Sequence, residues 1–116
     1  MKRLGNEGET LATEFLRKQG FTIIAKNYKT RIGEIDIIAK DGDTIVFVEV
    51  KTRSDDSFAA PYESVNTVKR QKLKNVALLF LQKQRQEVPT RFDIISITFL
   101  KGGHPAIHHI RDAFEE

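Results

Sequence analysis

Hydrophobic positions along the chain follow two rhythms, with turn residues at the changeovers. Over residues 5–19, Leu11, Ala12, Phe15 and Leu16 recur at helical spacing, and Gly20 follows as a stop. Phe21–Thr30 is rich in Ile, Phe and Tyr and predicts a strand. Gly33 precedes a second strand, Glu34–Lys40. The Asp41-Gly42-Asp43 turn joins it to a third, Thr44–Arg53, completing a meander. Ser54–Pro61 is polar, contains proline and predicts a loop. A second helix over 67–84 carries the stripe Leu73, Val76, Ala77, Phe80 and Leu81. After Pro89, Phe92–Leu100 predicts a fourth strand, Lys101-Gly102-Gly103 a turn and Ala106–Ile110 a short last strand. The predicted order is αβββαββ, an α/β chain with a central mixed sheet flanked by helices.

Composition narrows the classes. The 116 residues predict one domain, 1–116, long enough to bury one core. A hydrophobic content of 40% argues against disorder. No apolar run approaches the ~20 residues that span a membrane. The opening MKRLGNEGET lacks the apolar segment of a secretory signal, so the expectation is a cytoplasmic protein with no membrane partner. With no cysteine, disulfides, Cys-ligated zinc, iron–sulfur clusters and thiol catalysis are excluded. The net charge of +3 is unevenly spread: Lys69, Arg70, Lys72, Lys74, Lys83 and Arg85 lie between Glu63 and Glu87 with no acid among them. Such a segment attracts polyanions. Four of these cations crowd the start of the second helix, where the macrodipole disfavours them.

The third strand carries the chemistry. It is apolar through Val48 and then turns ionic at Glu49-Val50-Lys51-Thr52-Arg53. Alternation places Ile45, Phe47, Glu49 and Lys51 on one face and Val46, Val48 and Val50 on the other. On the second strand, alternation places Ile35 and Ile37 on one side, and Glu34, Asp36 and Ile38 on the other. With the hairpin centred on Gly42, Asp36 falls opposite Val48 or Glu49. Asp36 and Glu49 then come within reach of one ion. Hard carboxylate oxygens, waters and the Val50 carbonyl are what Mg²⁺ prefers. A neighbouring lysine can orient a water or offset charge on a phosphate. The alternative is a structural ion pair at the sheet end, which leaves the number of acids on one face unexplained.

Asp36 followed by Glu49-Val50-Lys51 resembles the core of the PD-(D/E)xK nucleases, with Ile35 where that name has proline. Gly8-Glu9, Gly33-Glu34-Ile35-Asp36-Ile37-Ile38-Ala39, Phe47 through Arg53, Arg91-Phe92-Asp93 and His109-Ile110 with Ala113-Phe114 resemble the YraN-like bacterial proteins. The resemblance covers nearly the whole chain. It implies a restriction-endonuclease-like fold akin to archaeal Holliday-junction resolvases. It also implies an acid on the first helix that completes a metal site. Glu9 lies about 20° from Leu16 on the helical wheel, whereas Glu14 points nearly opposite the apolar stripe and Glu7 lies off it.

Other residues remain open. Glu34 is a further ligand, a partner of Arg31 or Arg53, or a polar strand-start residue. Lys69, Arg70, Lys72 and Lys74 are phosphate contacts or a solvated face, with Lys69 and Lys72 nearest the apolar stripe and Arg53 at the same rim. His104, His108 and His109 do not suit a shared ion, because the adjacent pair points to opposite faces of a strand. Phe92 and Phe99 read as core, and Tyr28 and Tyr62 as core or rim. Two functions fit. One is an endonuclease dependent on Mg²⁺ or Mn²⁺, acting on branched or single-stranded DNA. Its catalytic and metal residues are Asp36, Glu49 and Glu9, with Lys51 catalytic and Arg53, Lys69, Arg70, Lys72 and Lys74 on the backbone. The other is a weakly active or inactive nucleic-acid-binding module on such a scaffold, working as a homodimer or with a protein partner.

Overall fold

A computed structural model describes residues 2–54, 67–84 and 87–114. The elements are α1 (Lys2–Lys18), β1 (Thr22–Thr30), β2 (Gly33–Asp41), β3 (Thr44–Ser54), α2 (Thr67–Gln82), β4 (Thr90–Phe99) and β5 (Ala106–Ile110). The order αβββαββ is the predicted one. Beyond Ser54, the predicted loop lies outside the described residues, as do Tyr62 and Arg85.

Local chemistry explains the boundaries. Helix α1 ends in a Schellman arrangement: Phe21 N–H donates to Leu16 O at 3.0 Å and Gly20 N–H to Arg17 O at 3.0 Å. Gly20 takes φ +96°, which a side chain would resist. Strands β1, β2 and β3 form the meander, and β3 pairs in parallel with β4, which is antiparallel to β5. Parallel neighbours need a long crossover, and the segment containing α2 supplies it.

Each face of the sheet is covered by one helix. Leu73, Val76, Ala77 and Phe80 of α2 pack on Ile35, Ile38, Ile45, Phe47, Phe92 and Ile94. Ala12 and Leu16 of α1 pack on Ile37, Ala39, Val46, Val48, Ile95 and Ile97. Phe92 and Phe99 join the core, and Tyr28 stands edge-on against Phe80 at 5.4 Å.

Strand β2 departs from the strict alternation expected. Ile35 packs on the α2 side with Ile38, while Ile37 lies on the α1 side with Ala39. The β2–β3 pairing begins only at Ile37↔Val48. On the other flank, Asn27 falls opposite Asp36 between the pairs Lys26↔Ile37 and Tyr28↔Ile35, and takes φ +52°. The pleat therefore breaks at Asp36, where β2 is paired with β1 on either side but no longer with β3.

A second ionic group ties the C-terminal segment to the sheet. Asp93, 1% exposed, accepts from Arg91 Nε at 2.9 Å and Nη2 at 3.0 Å, and from the Asp112 N–H at 2.9 Å. His109 Nε2 lies 2.8 Å from its Oδ2. Arg91 also reaches Asp41 at 3.3 Å. Burial pushes the Asp93 carboxyl up, but the bonds from His109, Arg91 and the Asp112 N–H outweigh it and hold the group below its usual value. Ala113 N–H then bonds Phe92 O at 2.7 Å, and Phe114 stacks on Phe92 at 4.9 Å.

Helix α1 approaches β3 most closely at Gly8. A Cβ there would overlap the Cγ2 methyl of Thr52. Gly8 thus sets how near the following residue, Glu9, comes to the sheet.

Two stability predictions follow from these contacts. Gly8→Ala should gain about 1 kcal/mol of helix propensity and lose about 1–3 kcal/mol to overpacking. Urea titration should show a net loss near ~1 kcal/mol that adding Thr52→Ala recovers. Asp93→Ala, which removes the carboxylate partner of His109 and leaves Arg91 only its Asp41 contact, should cost about 3–5 kcal/mol at pH 7. Because the Asp93 carboxyl is held low, its contribution is full above the ordinary carboxylate value and fades as pH falls through the depressed one.

Candidate functional site

At the end of the β2–β3 ladder, on the α2 side, the sheet opens into a cavity of about 210 Å³. Gly33, Glu34, Asp36, Glu49, Lys69, Lys72, Leu73 and Val76 line it. Glu49 arrives there because it follows Ile45 and Phe47 on one strand face, so the hydrophobic pattern that buries them buries it too. Its side chain is only 8% exposed. Lys51 lies two residues further on, and its Nζ is 3.2 Å from Glu49 Oε2. Lys69, in the first turn of α2, brings its Nζ to the same oxygen.

Asp36 enters from the neighbouring strand. Its Oδ2 accepts the Val50 N–H at 2.8 Å, taking over where backbone pairing between β2 and β3 has stopped. The expected register is met, since Ile37 opposite Val48 puts Asp36 beside Glu49. Burial, then the charge of Glu49, push the Asp36 carboxyl from 3.8 up to about 7. The Val50 bond pulls the other way, and Glu9 adds a further upward push. Burial and the nearby Lys69 draw the Lys51 ammonium below its ordinary value. Lys69 goes up: burial works against it, but its bond to Glu49 prevails.

The remaining sequence candidates divide. Glu9 is half-buried on α1, and its charge is felt at Asp36. Lys72 lines the cavity; Glu34 lines it while exposed to solvent. Arg53 is half-buried on β3, two residues beyond Lys51. Arg70 leaves the group: its guanidinium lies over the Phe114 ring at 5.3 Å. Lys74 lines a different cavity, with Phe47, Leu78 and Phe92. The four basic residues of α2 therefore do not line one cavity. His108 is exposed and His109 is committed to Asp93, so the two histidines do face different ways. Among the described residues, no three Asp, Glu or His side chains converge as a metal-ligating group. No helix among them is long and apolar enough to cross a membrane.

The donor chemistry nevertheless suits a divalent cation. Two hard carboxylates stand side by side in a half-sealed cavity, one of them keeping its proton near neutrality. Two ammonium groups already occupy the cation position on Glu49. Sequence reading brought Asp36 and Glu49 together with Lys51, as the structure does. It did not find the Asp93 group, whose members come from β4, β5 and the segment after it; Arg91-Phe92-Asp93 on an otherwise apolar strand was the available signal.

A mixed five-stranded sheet between two helices, with an acid–lysine cluster over its second and third strands, defines the class of protein. The chain belongs to the family described as Uncharacterised protein family UPF0102, whose model matches residues 8–97 and so takes in Glu9, Asp36, Glu49, Lys51 and Lys69. A UPF0102 protein of Thermodesulfovibrio yellowstonii is 50% identical, covering 96% of this chain and 95% of its own. Another, of Geobacter metallireducens, is 48% identical over 98% and 93%. One from Nocardia farcinica is 44% identical over 96% and 88%.

Asp36 fixes a pH dependence. The unfolded chain releases this proton near 3.8, and the folded protein keeps it until about 7. Between those values the native state holds more protons, so stability falls as pH rises and levels off above the window. The carboxamide introduced by Asp36→Asn would still accept from Val50 but lacks this titration. Asp36→Asn should therefore gain little at pH 4 and about 1–2 kcal/mol at pH 8. Denaturation at the two pH values checks it; an equal effect at both would contradict the raised value.

Proposed function

We propose that this protein is a metal-dependent phosphodiester hydrolase acting on nucleic acid, with DNA as its substrate. The observation that carries the reading is the pairing of Asp36 with Glu49 beside Lys51 and Lys69 at one cavity. A structural ion pair would explain Glu49 with its lysines. It would not explain a second carboxyl placed where it must hold a proton to pH 7 at a cost in stability. The resemblance to PD-(D/E)xK nucleases points the same way.

In this reading Asp36 and Glu49 supply the hard oxygens for Mg²⁺ or Mn²⁺, with the Val50 carbonyl adjacent. When bound, such an ion supplies Lewis acidity and a more acidic water. Lys51, its Nζ 3.2 Å from Glu49 Oε2, can position the attacking water and offset charge developing on the phosphate. Lys69 and Lys72 line the cavity and are the cations nearest to hold phosphates of the strand, with Arg53 further along the β3 rim. Recognition through backbone contacts makes shape, rather than base sequence, the selected feature.

The absence of a third converging acid among the described residues favours a second reading. In it the protein binds nucleic acid through the same lysines, with little or no cleavage unless a partner or second copy completes the site.

The test is a panel of branched, flapped and single-stranded DNA incubated with Mg²⁺ or Mn²⁺. The hydrolase reading expects cleavage that Asp36→Asn and Lys51→Ala each reduce by about 100-fold or more. Salt-sensitive binding without cleavage under either metal selects the second reading.

A further inference from the structure

Lys69 stands apart from the other charges of the site. It belongs to a helix, not to the sheet, and its side chain is 38% exposed where that of Glu49 is 8%. It shares the Oε2 oxygen of Glu49 with Lys51, so two ammonium groups repel each other across one acceptor. Its position in the first turn of α2 is one the helix dipole disfavours, and no acid in that turn offsets it. Glu49 draws the Lys69 head group inward, with Asp36 adding a weaker attraction. Lys72, one turn further along α2, lines the same cavity, so a route from Glu49 to the mouth is already flanked by positive charge.

We propose that Lys69 is an exchangeable counter-ion. It neutralises Glu49 until a divalent cation enters, and then releases Glu49 and carries its ammonium to a phosphate of the bound strand. This inference rests on the reading of Asp36 and Glu49 as the cation site. The incoming ion brings two positive charges as the Lys69 ammonium takes one away, so the buried carboxylates are never without a partner. It also makes cation and strand cooperative, because each removes a competitor of the other, and such coupling is reciprocal.

The test titrates Mn²⁺ into the full chain without nucleic acid, by calorimetry, comparing wild type with Lys69→Met, Lys72→Met and Asp36→Asn. Asp36→Asn identifies the specific site by losing it. Lys69→Met should bind Mn²⁺ about fivefold tighter than wild type, the worth of one displaced ion pair. Lys72→Met, which removes the same charge nearby, should change affinity about twofold or less. With a single-stranded DNA oligonucleotide, wild type and Lys69→Met should bind alike in chelator. In Ca²⁺ wild type should tighten about fivefold more than Lys69→Met. If Lys69→Met binds Mn²⁺ no tighter than wild type, the exchange is overturned while Asp36-dependent binding leaves the site standing. If no protein shows Asp36-dependent binding, the cation site and the exchange fall together. Lys69→Gln, which keeps a donor for Glu49, replaces Lys69→Met should circular dichroism show that variant unfolded.

Discussion

Glu49 is a carboxylate placed by a hydrophobic pattern. The face of β3 that buries Ile45 and Phe47 continues to Glu49, and an acid taken out of water must be matched by opposite charge. Lys51, on the same strand face, is the local answer. Lys69 is the non-local one, and topology supplies it. Because β3 and β4 run parallel, the chain crosses over between them, and the helix on that crossover lies over the face Glu49 occupies. The start of α2 is thereby fixed above β3, its basic first turn compensated by a sheet residue rather than by its own sequence.

The sheet keeps two kinds of buried charge apart. Asp93 pairs in register with Val48, one step from Glu49↔Ile94, yet the two acids project from opposite faces. Asp93 receives more hydrogen bonds than burial can offset, and its carboxyl is held low. Asp36 has one backbone donor and a second acid beside it, and its carboxyl is pushed up. The first arrangement holds the chain's end in place. The second retains a carboxyl that burial and Glu49 push up, and that asymmetry separates the two clusters within a few residues of the same strands.

Much of this was legible in the sequence because it is local. Period-two and helical rhythms predict every element and their order, and a hairpin centred on Gly42 predicts that Asp36 meets Glu49. What was not legible depends on distant partners. Arg70 and Lys74 look like neighbours of Lys69 and Lys72, but Phe114 and the Phe47–Phe92 cavity draw them elsewhere. The Asp93 group combines β4, β5 and the segment after it, with no spacing that announces it. Gly8 reads as a weak helix residue until Thr52 is seen against it. The alternation along β2 fails at Asp36, where the pairing with β3 ends and pattern alone predicts continuation.

That failure of alternation gives the site its tolerance. Where the β2–β3 ladder stops, the Asp36 side chain accepts the Val50 N–H that no strand neighbour reaches. A carboxyl oxygen accepts this bond in either protonation state. Ionisation of Asp36 therefore leaves the end of the ladder bonded and changes what faces Glu49, its charge and the hydrogen bond between the two carboxyls. An acid placed mid-ladder could not titrate so freely, since nothing there needs a side-chain acceptor. The local irregularity lets one residue close the sheet and present a variable charge, while the lysines of β3 and α2 share the neighbouring carboxylate.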